Sequence, residues 1–258
     1  MNRNVSANAI VLSVSPSKEN NSTVTLLTEK EGVIYATLYG GHKSRLKSLF
    51  TLWNSGIVYL YKNEERKSIK INDFDVKKYH SSFSENLFKM WSASLASEII
   101  LKTKCGGSNN ESWILLNGFL DGLEISNEDQ SKLGLIRFLW RYLSLLGIQP
   151  DATFCGKCGK SFFDIKNHKM LYNETSYFDS IENCFICTEC SYKDNRLLPV
   201  KTDGVEYLAA ISLLTPAEVR KLQIDKNVYG QIKDIVYYLI ENGIGTKLNS
   251  LETGIGIL

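Results

Sequence analysis

No run of roughly 18 uninterrupted apolar residues occurs in this 258-residue chain, which excludes a helix that spans a membrane. The opening MNRNVSANAIVLSVSPSKEN has only a short apolar run between polar flanks, so it lacks the hydrophobic centre of a signal peptide. A cytoplasmic protein with no membrane partner is expected. Catalytic signatures are also missing: there is no glycine-rich phosphate loop, no G-x-S-x-G and no H-E-x-x-H. Histidine is scarce, and His42, His80 and His168 stand apart without acidic partners at motif spacing. A binding protein is expected rather than an enzyme. Internal repeats and low-complexity tracts are absent, which argues against a solenoid.

What is present is an ordinary globular composition, 43% hydrophobic and 22% charged, in a chain long enough for one large domain or two to three small ones. The net charge of +2 conceals an asymmetry. Residues 1–80 hold 12 Lys and Arg against 7 Asp and Glu, whereas residues 81–258 hold 18 against 21. The basic excess belongs to the first third.

That first third alternates with period two. AIVLSV, STVTLLTE, GVIYATLYG, GIVYLYKN and SIKINDF are five strand-length runs separated by polar turns, with one longer basic segment before the fourth. Five short antiparallel strands suit a closed barrel, because closure removes the sheet edges. An OB-like barrel is the leading reading, and an SH3-like barrel has the same strand count. From about Phe83 the period becomes helical. Leu87, Trp91, Leu95 and Ile99 mark one helix, Trp113, Leu116, Phe119 and Leu123 another, and Leu133, Ile136, Leu139, Leu143 and Leu146 a third. Helical spacing returns at Val205, Leu208 and Ile211 and in IKDIVYYLIENG. The expected fold is therefore α+β and multidomain: a five-stranded OB-like barrel over residues 1–80, then a helical domain over 81–258 interrupted by a cysteine-rich module at about 150–200.

Five of the six cysteines lie within 36 residues: Cys155, Cys158, Cys184, Cys187 and Cys190. A C-x-x-C loop lets two sulfurs converge on one ion, and two such knuckles complete a tetrahedron. In the cytoplasm this pattern favours a metal over disulfides. Cys155 and Cys158 form the first knuckle, with Gly159 supplying the turn after it. The second is ambiguous, since Cys184-x-x-Cys187 and Cys187-x-x-Cys190 both have the spacing; a knuckle ending at Cys190-Ser191 suits a turn into the next segment. His168 is a weaker rival ligand, and Cys105 reads as a thiol at a helix end capped by Gly106 or Gly107. Four thiolates close the shell, so one structural Zn2+ per chain is expected, contributing on the order of 10 kcal/mol to folding of the module.

The basic segment YGGHKSRLKSLF places Lys43, Arg45 and Lys47 at alternate positions behind two glycines. If it stays extended, three cations project to one side, toward a phosphate backbone. Arg66, Lys67 and Lys70 extend that surface, and Tyr35, Tyr39, Tyr59 and Tyr61 lie in the neighbouring strands. Exposed aromatics beside cations are how OB folds hold single strands. The plainer alternative is that the tyrosines fill the barrel core or rim and the cations are merely solvated. Arg137 and Arg141, at i and i+4, read as pairing with acidic neighbours in the helical bundle.

The order of parts resembles the RecO family of bacterial recombination mediators, on the strength of "LLTEKEG", "YGGHKSRLKSLF", "RFLWRYLSLLGIQPD" and "CGKCGK". The resemblance covers roughly residues 8–200. It departs at the second knuckle, where Asn183-Cys184 replaces a glycine pair, and at Leu139, where the family commonly has an acidic residue. Through the position of that glycine pair, the resemblance implies Cys187 and Cys190 as ligands and Cys184 as the surplus thiol. It also implies binding of single- and double-stranded DNA, strand annealing, association with RecR, contact with the acidic C-terminal tail of the single-strand binding protein, and help in loading RecA. On this reading Lys43, Arg45 and Lys47 would contact the DNA backbone and Tyr59 or Tyr61 would stack on bases. Two other readings remain: a non-enzymatic protein scaffold, and an RNA-binding factor with an OB barrel and a structural zinc.

Overall fold

The computed structural model describes residues 3–17, 20–40, 45–164, 169–170, 176–192 and 196–258. The alternating first third forms five strands: β1 Asn4–Pro16, β2 Ser22–Thr28, β3 Gly32–Leu38, β4 Ser55–Asn63 and β5 Ser68–Lys78. They close into a barrel in the order β1-β2-β3-β5-β4. β1 is longer than its apolar run because it pairs twice, through residues 4–10 with β4 and through residues 9–16 with β2, and a bulge between Val11 and Ser13 lets it turn the corner. Closure comes from a parallel contact between β3 and β5 at Thr37 and Lys70. That order, with a helix between β3 and β4, is the OB arrangement and removes the SH3-like alternative.

Alternate residues point inward, except that a bulge at Asn72 on β5 sets its inward residues three apart. Val24, Leu26, Ile34, Ala36, Leu38, Val58, Leu60, Ile71 and Phe74 make the barrel core. The basic segment contributes to it as well. Residues Arg45–Leu49 form a short helix, α1, whose Leu46 and Leu49 pack against the core, and Phe50 stacks on Phe74 with ring centroids 4.7 Å apart.

Downstream come α2 Leu87–Thr103, α3 Asn109–Ile125 and α4 Glu128–Leu145. The Asn86 side chain caps α2 by accepting the Lys89 N–H, so Leu87 is the first helical residue and points outward, 62% exposed. The buried face is Phe88, Leu95, Ala96, Ile99 and Ile100, so Leu95 and Ile99 lie on it as their spacing leads one to expect and Leu87 does not. The cap at the other end also departs from expectation. It falls on Lys104 rather than on a glycine, at φ +48°, and Cys105 follows at φ +69°. These left-handed residues are held by the Cys105 carbonyl, which accepts the Ser108 N–H at 3.0 Å and the Ser112 hydroxyl at 2.7 Å. In α4 burial is broader than the one apolar seam, taking in Phe138, Trp140 and Tyr142 alongside Ile136, Leu139 and Leu143.

The remaining elements are β6 Phe163–Asp164, β7 Lys169–Met170, β8 Ser176–Asp179, β9 Cys184–Ile186, β10 Leu198–Val200, α5 Thr202–Leu213, α6 Pro216–Val219, α7 Lys226–Ile244 and α8 Asn249–Thr253. The chain divides into two compact units, residues 1–134 with 247–258, and residues 135–246. In the first, the C-terminal α8 returns to α2. Leu248, at the α8 N-cap, cannot accept a hydrogen bond through its side chain, and the Glu98 carboxylate does so in its place, taking the Asn249 N–H at 2.9 Å and the Ser250 N–H at 2.8 Å. In the second, β10-β8-β9 form a small sheet whose Phe178 and Phe185 are fully buried, and α5 packs on α7. No described helix is long and apolar enough to cross a membrane.

Candidate functional site

Two knuckles converge in the second unit. At the first, Gly159, in the left-handed region at φ +70°, donates its N–H to the Cys155 carbonyl and folds the chain back after Cys158. At the second, β9 runs into Cys187, and the Cys190 and Ser191 N–H groups both donate to the Cys187 carbonyl. The knuckles are stitched together by Gly156 N–H donating to the Phe185 carbonyl at 2.8 Å, and by a salt bridge between Lys160 and Glu189 at 2.9 Å. As a result the Sγ atoms of Cys155, Cys158, Cys187 and Cys190 all lie within 4.8 Å of one another. A tetrahedral tetrathiolate with metal–sulfur bonds of ~2.3 Å has S···S edges of about 3.8 Å. The Cys158 and Cys187 sulfurs are 3.8 Å apart, so the donor set fits such an ion.

The thiols are tuned apart. Burial pushes Cys155 up, but the main-chain N–H groups of Cys187, Cys158 and Lys157 outweigh it and bring the thiol down to about 6. Cys190 is pushed up to about 12 by burial and by hydrogen bonds to Cys187, Cys158 and Cys155. Once one sulfur is a thiolate, a second negative charge so close is unfavourable, and a divalent cation removes that conflict.

Cys184 is outside the cluster. It opens β9, and its side chain lies against Gly156, where an added Cβ would come within 2.6 Å of the Cys184 sulfur. Burial and then the Asp179 charge raise its thiol. The ambiguity of spacing thus falls in favour of Cys187 and Cys190. His168 lies outside the described residues. Cys105 is buried in the first unit and is not among the clustered cysteines.

The second feature is the outer face of the barrel. Lys43 lies outside the described residues. Arg45 and Lys47 are not at alternate positions of an extended loop, since α1 winds residues 45–49 into a helix whose Leu46 and Leu49 face the core. Two residues apart on a helix, the two cations point to different sides. Arg66 and Lys67 form the exposed β4–β5 turn, and Lys70 is exposed on β5. The tyrosines point out of the barrel, with Tyr35 64%, Tyr39 53% and Tyr59 42% exposed and Tyr61 half-buried. Tyr61 accepts a hydrogen bond from Arg3 at 3.3 Å, and Tyr59 is paired in register with Asp73. One pairing escapes a reading by spacing alone: the Lys70 ammonium sits 5.3 Å from the centre of the Tyr39 ring.

Arg137 and Arg141 do not pair with acidic residues among those described. Arg137 donates to the Tyr207 hydroxyl at 3.1 Å and Arg141 to the Ile211 carbonyl at 3.4 Å, both on α5. Burial, followed by the charges of Arg137 and Arg220, lowers Arg141. Arg220 stands just after α6, 79 positions along the chain from Arg141, so spacing alone does not bring it near.

Comparison with known proteins agrees along almost the whole length. The family profile described as Recombination protein O N terminal matches residues 1–79, and that described as Recombination protein O C terminal matches residues 84–252. The DNA repair protein RecO of Acetivibrio thermocellus is 23% identical over 255 residues, covering 95% of this chain and 94% of that one. The Bacillus subtilis protein of the same name is 22% identical over 245 residues, covering 93% and 90%. That of Chlorobium limicola is 29% identical over 159 residues, 60% of each chain. With profiles that meet at the end of the barrel and continue across the cysteine cluster, the chain belongs to the recombination protein O family of DNA repair proteins.

Proposed function

We propose that this protein is a non-enzymatic, cytoplasmic recombination mediator that binds single- and double-stranded DNA and promotes annealing of complementary strands. With RecR it would help load RecA, and it would contact the acidic tail of the single-strand binding protein. The observation that carries the DNA-binding part is the outer face of the OB-like barrel, where exposed tyrosines stand beside cations. Such a face neutralises phosphates and offers π surfaces to bases without a reaction centre. Lys43, Arg45, Lys47, Arg66, Lys67 and Lys70 are the proposed backbone contacts, and Tyr59 and Tyr61 proposed aromatic contacts. DNA contact is assigned to the barrel, residues 1–80. The helical part, 81–258, is assigned to holding the metal module.

For the metal we propose one structural Zn2+ per chain, held by Cys155, Cys158, Cys187 and Cys190. All-sulfur tetrahedral donation suits Zn2+, and four thiolates leave no position open for water. The ion would cross-link the two knuckles and supply folding energy rather than chemistry.

The test is anisotropy of a fluorescein-labelled single strand titrated with protein at several salt concentrations, with structured RNA as competitor. Binding that weakens steeply with salt is expected. Replacing Lys43, Arg45 and Lys47 together with Ala should flatten the salt slope by roughly 0.7 per lost contact, whatever the sequence. No binding by folded protein at low salt would leave the scaffold reading, and preference for structured RNA the third.

A further inference from the structure

Of the exposed tyrosines, Tyr35 and Tyr39 share a row on β3 and its continuation, at the outward positions 35, 37 and 39. Successive outward positions on a strand put the two rings about 13 Å apart at their Cα atoms, with Thr37 between them. Following register around the barrel from Thr37 gives Thr23 and Ser15 on one side, and Lys70, Tyr61 and Asn4 on the other. That belt carries hydroxyls, an amide and a cation, with no carboxylate. Lys70 is over the Tyr39 ring. Because β3 and β5 run parallel from the Thr37–Lys70 pair, Tyr35 and the turn residues Arg66 and Lys67 lie to the same side of it. Glu64 and Glu65 share that turn, Glu65 facing Arg3 at 3.9 Å. The next belt is different. Tyr59 is opposite Asp73, and Asp75 two residues on is paired with Lys77. Asp73 stands directly opposite Tyr59, whereas no carboxylate is in register with Tyr35 or Thr37, so the row without acids runs along β3.

We propose that Tyr35 and Tyr39 form a track for unpaired bases, with Lys70 holding a phosphate between them, and that base pairing itself releases a strand from this track. This deepens the DNA-binding reading of the barrel and rests on it. A tyrosine ring stacks on the flat face of a base, and any base offers one, so the track tolerates all sequences. In a duplex those faces are covered by neighbouring bases, and only phosphates remain for the protein to hold. A strand that finds its complement therefore loses its contacts with Tyr35 and Tyr39 but keeps those with the cations. The track holds strands apart and available, then lets the annealed product go.

The experiment compares a labelled single strand with a hairpin duplex of equal length, using wild type, Tyr35→Ala/Tyr39→Ala, Tyr39→Phe, and Tyr79→Ala as an exposed tyrosine off the row. Stacking contributes about 5- to 150-fold per base, so the double variant should bind the single strand at least roughly tenfold more weakly. Its duplex affinity should stay within about twofold and its salt slope should not change, because no charge was removed. Tyr39→Phe and Tyr79→Ala should behave as wild type. Equal losses on both substrates, or none on either while wild type binds, would overturn the track and leave the barrel's DNA binding intact. Failure of wild type to bind either substrate would sink both. Should the double variant misfold, photo-crosslinking wild type to an oligonucleotide carrying 5-iodouracil decides it: adducts at Tyr35 or Tyr39 support the track, and adducts confined to other residues refute it.

Discussion

At the scale of single residues, the cysteine cluster separates thiols that spacing leaves equivalent. Cys184 and Cys187 both complete a C-x-x-C, but only Cys187 has its sulfur in the group of four, while Cys184 lies over Gly156. Cys184→Ala should therefore keep one metal per chain, and Cys187→Ala should lose it, as read by elemental analysis of purified protein. Acid should act through the same sulfurs. Ligands bind as thiolates, so binding releases protons, and the metal concentration needed for half-saturation should rise as pH falls. A competition titration with a chromophoric chelator at several pH values measures this. Residue identity made the ligand types legible from the sequence, but which sulfurs converge depends on how β9 is stitched to the first knuckle, and that is a long-range contact. Lys70 beside Tyr39 was hidden for the same reason, since they stand 31 positions apart and only barrel closure brings them together.

At the scale of elements, the barrel strands were legible because a closed sheet with a packed interior forces strict alternation. α1 was not. Five residues are too few to show a helical period, so the cations of RLKSL looked like members of an extended loop. Its burial of Leu46, Leu49 and Phe50 gives a test: Phe50→Ala should destabilise the barrel by about 3–5 kcal/mol, through lost transfer energy and the cavity left beside Phe74, measured by denaturant unfolding. The buried face of α2 was legible at Leu95 and Ile99 but not at its start, where Leu87 directly follows the Asn86 cap and is exposed while Phe88 is buried. The Glu98 contact to α8 carries a pH dependence. Burial raises that carboxyl, but the Ser250 and Asn249 N–H groups and Lys102 outweigh it and hold it below the ordinary carboxylate range. A group with a depressed folded value contributes stability above its unfolded value and loses it as pH falls through the folded one. Docking of residues 247–258 should thus be full at neutral pH, weaken as pH falls from the ordinary carboxylate range towards the lower folded value, and be weak at all pH values in Glu98→Gln. Hydrogen exchange of the α8 amides reports it.

At the scale of the whole molecule, the two compact units make separable demands. The unit at 135–246 contains the cysteine cluster, and the unit with the barrel does not. Chelation should therefore raise hydrogen exchange across β8, β9 and the knuckles while amides of the barrel strands stay protected, giving two unfolding transitions where the metal-loaded protein is more nearly cooperative. The sequence showed a barrel and a helical remainder, since periodicity is local. It could not show that the last dozen residues belong with the first 134, because α8 is short and its cap is borrowed from Glu98 on α2.

That borrowed cap bears on the order of synthesis. During translation residues 1–134 leave the ribosome first, and the barrel strands can pair as they emerge, yet α2 must wait for more than a hundred further residues before α8 arrives to cover it. Until then the Glu98 carboxylate on α2 that takes the Asn249 and Ser250 N–H groups is without them on every growing chain, so residues 247–258 complete a unit begun long before them.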